Sequence, residues 1–223
     1  MKKRIRGLVV LALFLFLSPF MANAATVTFN FDYAFSGTAP TGSAPWLTAT
    51  FTDGIPGGGV SLSIAAGGLT GSEFVNGVYF NVDPALTVAA TNIAFVSGSS
   101  SAPTPSSIQA GTNAYKADGD GFYDIMISFP TPASSRFNAG EVALFTITGV
   151  PSLTANSFTF LSQPAGGSGP FLAAAHIQGI TTQYMTGASG WVASVPIPAA
   201  LWMFAPAITF LMTAVKRRRT TSV

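Results

Sequence analysis

The chain has 223 residues, of which only 8% are charged and none is cysteine, with 23 glycines and 15 prolines. That composition excludes a disulfide framework, a thiolate nucleophile and a cysteine zinc site, and it is far from helical-bundle or highly charged disordered chemistry. Eight of the ten basic residues stand at the two ends, so the stretch from Ala25 to Ala193 carries Lys116 and Arg136 against eight acidic residues, −6 in formal charge, which argues against a nucleic-acid partner.

The N-terminal stretch, residues 1–24, begins with Lys2, Lys3, Arg4 and Arg6, continues through the apolar run Leu8 to Leu17, and ends at Ala22-Asn23-Ala24. A basic start, an apolar run too short to span a bilayer of about 30 Å and a small-residue site are the parts of an export signal peptide. Cleavage is expected after Ala24, with Ala22 and Ala24 filling the protease pockets.

Residues 25–186 are expected to form one exported domain of about 160 residues, large enough to fold on hydrophobic burial alone. Short β-branched and apolar runs recur between Gly, Ser, Asn and Pro clusters: Val27–Phe35, Leu47–Phe51, Val60–Ile64, Gly77–Val82, Ile93–Val96, Phe122–Phe129, Glu141–Ile147, Ser157–Leu161 and Ala173–Ile177. Their alternation, clearest from Thr26 to Tyr33, predicts an all-β, antiparallel two-sheet sandwich or jelly roll. Ser97 to Ser107 reads as an exposed loop, and residues 187–194 as a spacer.

Asp118-Gly119-Asp120-Gly121-Phe122-Tyr123-Asp124 is the densest group of carboxylates. Oxygen ligands from Asp118, Asp120 and Asp124 suit Ca²⁺, and the segment resembles the calcium loops of dockerin-like and thrombospondin-like repeats. An Asp-Gly pair is equally a hairpin-turn signal. His176 is the single histidine, a general base or metal ligand if partnered and otherwise a packed side chain. Glu73 and Glu141 are the only glutamates, with no glycosidase spacing to an aspartate. Trp46, Trp191, Tyr33, Tyr79, Tyr115, Tyr123 and Tyr184 would stack on sugar rings if displayed on one face, or else fill the core. No residue is assigned a catalytic role.

Residues 195–223 read Val195-Pro196-Ile197-Pro198-Ala199, an uncharged stretch of 18 residues from Pro198 to Val215, and the basic stop Lys216-Arg217-Arg218-Arg219. The stretch is long enough to be a transmembrane helix, and the basic cluster would stay cytoplasmic. The tail resembles the PEP-CTERM sorting signals, specifically the VPLPA-type variant, with Ile197 where that variant commonly has Leu. The resemblance covers the last 25 or so residues and implies recognition by an exosortase-like processing enzyme of a Gram-negative bacterium that makes exopolysaccharide. The expected protein is a cell-surface or extracellular-matrix structural or adhesive protein, held in the membrane before processing; a carbohydrate-binding module and a secreted hydrolase are the alternatives.

Overall fold

The structure, a computed structural model, describes residues 24–56, 58–118 and 120–196. The signal peptide before Ala24 and the tail from Ile197 onward lie outside the described residues, including Ala22, Pro198, Ala199 and the basic stop. Among the described residues the chain is all-β: thirteen strands, four 3-10 turns and no α-helix. The strands are β1 (Thr26–Phe31), β2 (Tyr33–Gly37), β3 (Leu47–Asp53), β4 (Val60–Ala65), β5 (Phe74–Phe80), β6 (Asn92–Phe95) and β7 (Ser107–Lys116). They continue with β8 (Gly121–Ser128), β9 (Phe137–Asn138), β10 (Val142–Thr148), β11 (Gln163–Pro164), β12 (Ala173–Ile180) and β13 (Ala188–Ser194).

Two antiparallel sheets result. The smaller has the order β1-β3-β4-β10-β6, and the larger β11-β8-β5-β12-β13-β2, with β7 paired to β8 and β9 to β5. The period-two pattern explains the core. Phe29, Phe31, Leu47, Ala49, Phe51, Val60, Leu62, Ile64, Phe145 and Ile147 alternate along the smaller sheet and meet Val75, Val78, Phe80, Ile125, Ile127, Ile177 and Val192 from the larger. Phe51 sits at the centre, 4.1 Å from the Phe158 ring centroid and 5.2 Å from that of Phe80.

Three expectations are corrected. The run expected as one strand from Val27 to Phe35 divides at Asp32: β1 belongs to the smaller sheet and β2 to the larger, with the Asp32 amide donating to Ala193 O as the chain crosses. Ser157–Leu161 is not a strand. A capping box between Thr154 and Ser157 closes a 3-10 turn over Ala155–Phe158, satisfying end amides that a strand would need a neighbour to pair. The expected spacer is β13, an interior strand paired with β12 on one side and β2 on the other. Its glycines read as linker chemistry, yet they suit a crowded strand, since a Cβ on Gly190 would overlap Thr38 O.

Candidate functional site on the outer face of the larger sheet

The strand order puts β5, β12 and β13 between β8 and β2, a separation of about 19 Å at about 4.8 Å per strand. Asp118, in the β7–β8 turn, nevertheless accepts a 3.2 Å hydrogen bond from Ser36 Oγ on β2. The end of the β7–β8 hairpin therefore bends across the outer face of the sheet. The bend lies where the pairing register of β7 and β8 shifts between Ala110 and Tyr115, at Asn113 with its positive φ of 48°. Such a break strands backbone donors. Asp124 takes up one of them, accepting from Asn113 N at 2.7 Å, and accepts also from Val82 N, just past the end of β5, at 2.9 Å.

Under the bent hairpin lies a second, smaller apolar cluster. Ala117, Tyr123 and Ala174 are buried there, with Phe35, Tyr79 and Trp191 packed against them. Tyr123 is fully buried, and its hydroxyl donates to Asp120 Oδ2 at 2.5 Å; Ser162 Oγ donates to the same oxygen at 3.2 Å. Burial, followed by the neighbouring Asp120 carboxylate, pushes the Tyr123 phenol far above its ordinary range. Asp120 is itself 1% exposed. A Cβ on Gly169 would overlap its carboxylate, so the 162–171 loop reaches Asp120 only because glycine stands there.

The three carboxylates expected to surround Ca²⁺ are thus engaged separately: Asp118 with Ser36, Asp120 with Tyr123 and Ser162, Asp124 with two backbone amides. No group of three His, Cys, Asp or Glu side chains is gathered for a metal among the described residues. The segment forms the hairpin connection, with Asp120 N donating to Ala117 O at 3.3 Å. The two glutamates are likewise occupied. Glu73, 1% exposed, accepts from Thr41 N, Thr41 Oγ1 and Thr70 N, and Glu141 from Asn138 N.

What the sheet does bring together is His176 with aromatic neighbours. His176 and Trp191 are register partners on β12 and β13, their rings stacked at 4.5 Å and 13°. A bulge in β5 opposite His176 and Ile177 turns Asn76 outward, and Asn76 Oδ1 lies 3.0 Å from His176 Nδ1, which places the proton on Nδ1 when Asn76 accepts. Burial lowers the His176 pKa, opposed by the nearby Asp118 carboxylate. Tyr79 is 5.5 Å from Trp191, and its phenol is raised by burial. Phe35 lies 6.4 Å from Trp191 and 4.9 Å from Phe171, and Tyr33, 45% exposed, is 5.7 Å from Phe171. These rings are mutually tilted by 45–58°, not coplanar. Trp46 belongs to the main core, its indole N–H donating to Gly42 O. Tyr184 is exposed, and Tyr115 half-buried in β7.

Sequence spacing could not have shown this cluster, because Asn76 on β5, Asp118 in the β7–β8 turn and the His176–Trp191 pair on β12 and β13 come from three separate parts of the chain. Alternation on β12 and β13 was the only available signal, and β13 did not read as a strand. No helix among the described residues is long and apolar enough to cross a membrane. No family model, no curated protein and no solved structure matches this chain.

Proposed function

We propose that the chain is an exported cell-surface or extracellular-matrix protein of structural or adhesive character, sorted by an exosortase-type system in a bacterium that makes exopolysaccharide. The observation that carries the reading is the order of parts in the sequence: a basic and apolar leader ending at Ala22-Asn23-Ala24, a charge-poor domain, then Val195-Pro196-Ile197-Pro198-Ala199, an uncharged stretch and four basic residues. Prolines at alternate positions are, as sequence chemistry, what an extended protease substrate calls for. The all-β domain between the signals supports it further, since its carboxylates serve as backbone and hydroxyl acceptors, the work of a scaffold. A carbohydrate-binding module of the same compartment is the second reading, favoured by the half-exposed rings around Trp191.

Intact-mass measurement of the surface-associated protein tests the proposal, beside a variant with both Pro196→Ala and Pro198→Ala. The wild type is expected to begin at Ala25 and to lack Lys216 to Arg219, with the variant retaining them in the membrane fraction. Retention of the basic stop by both refutes processed sorting, and retention of Met1 to Phe20 refutes the signal peptide.

A further inference from the structure

The outer face of the larger sheet continues past His176 into a cleft of about 450 Å³. Phe74 and Gln178 are register partners on β5 and β12, and Ser189 follows on β13. Each stands two residues from a member of the histidine cluster: Phe74 from Asn76, Gln178 from His176, Ser189 from Trp191. Alternation puts such pairs on one face about 6.7 Å apart. The cleft and the His176–Trp191 cluster are therefore neighbouring stations along one track.

Arg136 lines this cleft. Its guanidinium carbon lies 4.1 Å from the Phe74 ring centroid, and its Nε donates to Thr131 O at 2.7 Å. Stacking and one backbone bond hold the guanidinium plane while its terminal N–H groups have no acceptor among the described residues. Seven of the eight acidic side chains are occupied elsewhere: Glu73, Asp118, Asp120, Asp124 and Glu141 as given above, Asp53 with Ala155 N, and Asp83 with Ala85 N. A cation held in plane and not matched by a carboxylate offers a two-pronged donor site to a planar anion. The rest of the lining is uncharged and polar or bare backbone. Gly187, with open space where a side chain would stand, leaves room for a ligand to approach, while Gly179 packs closely against the Ser72 backbone and Ser72 Oγ ties that wall by donating to Gly179 O at 2.7 Å.

We propose that this cleft is the carboxylate subsite of a glycan-binding track, and that its ligand is an acidic, uronate-bearing polysaccharide. Arg136 grips the sugar carboxylate, Gln178 and Ser189 face the ring hydroxyls, and the next sugar lies towards Asn76 and the His176–Trp191 pair. The choice of a glycan over another carboxylate rests on the proposed matrix location; the anion chemistry rests on the cleft.

The test is titration of the full chain, in detergent, with polygalacturonate, and with dextran as the uncharged control. The wild type is expected to bind polygalacturonate in preference to dextran, more weakly at higher salt. Arg136→Gln should lose about tenfold or more in affinity, with Arg136→Lys intermediate because charge survives and the fork does not. Gln178→Ala, which leaves the Arg136–Phe74 stack intact, should weaken binding while the melting curve stays unchanged, so a folding defect in the arginine variant does not decide the matter. No binding of polygalacturonate, binding of dextran as tight as of polygalacturonate, or unchanged affinity in Gln178→Ala and Arg136→Gln overturns the inference. None of those results touches the sorting proposal, which intact mass reads independently.

Discussion

Tyr123→Phe removes one oxygen and no packing volume, and so isolates the polar centre beneath the bent hairpin. The lost bond runs from a buried phenol to a carboxylate that is 1% exposed and keeps only Ser162 as a side-chain donor. A hydrogen bond to a charged group contributes about 1.5–3 kcal/mol. At about 2–4 °C per kcal/mol for a domain of this size, Tm should fall by about 3–12 °C at pH 7. The sign of the pH dependence adds a second readout. The folded-state phenol is raised above its unfolded value of 10.0, so its contribution is fully present below pH 10 and is lost as pH rises above it. The variant should therefore be less stable than wild type at pH 7 and show a shallower loss above pH 10, with Tyr79 supplying the remaining slope. Thermal melts followed by near-UV circular dichroism between pH 7 and 11 measure both. A Tm change below about 1 °C, with an unchanged alkaline limb, refutes the buried Tyr123–Asp120 pair as an anchor of the hairpin.

His176 behaves oppositely: its folded pKa lies below the unfolded value of 6.5, so stability is complete above pH 6.5 and declines as pH falls below it. Melts from pH 7 to 5 should show this decline, and His176→Gln should flatten it. Gly169→Ala forces a Cβ into the Asp120 carboxylate, whereas Gly98→Ala meets open space; urea unfolding should find the first strongly destabilised and the second close to wild type. Phe51→Ala, emptying the centre of the main core, should cost about 3–5 kcal/mol by the same measurement. Melts with calcium at about 1 mM and with a chelator separate the two readings of the acidic loop: an unchanged Tm leaves the hairpin turn, and a clear rise makes Asp118, Asp120 and Asp124 a ligand set.

The strand pattern was legible wherever one face is buried and the other is wet, as in β1, β3, β4 and β10, because a period of two in apolar residues is then written directly into the chain. It failed where both faces are covered or the residues are small. β13, with Gly190 and Ala193, reads as a linker, and β7, Ser107–Lys116, lacks the apolar alternation since much of it is exposed hairpin. The acidic loop was legible as a group of carboxylates in a turn, but which partner each would take depended on segments up to 82 residues away, as with Asp118 and Ser36.

By itself, then, the sequence determined the all-β class, the two-sheet core and the segregation of positive charge to the ends, since these follow from local periodicity and composition. The bend of the β7–β8 hairpin, the stacking of His176 on Trp191 and the Arg136 cleft were decided only by tertiary structure. Each depends on strand order and register, which bring together residues that no local pattern links, and on a bulge or shift that changes which face a side chain takes.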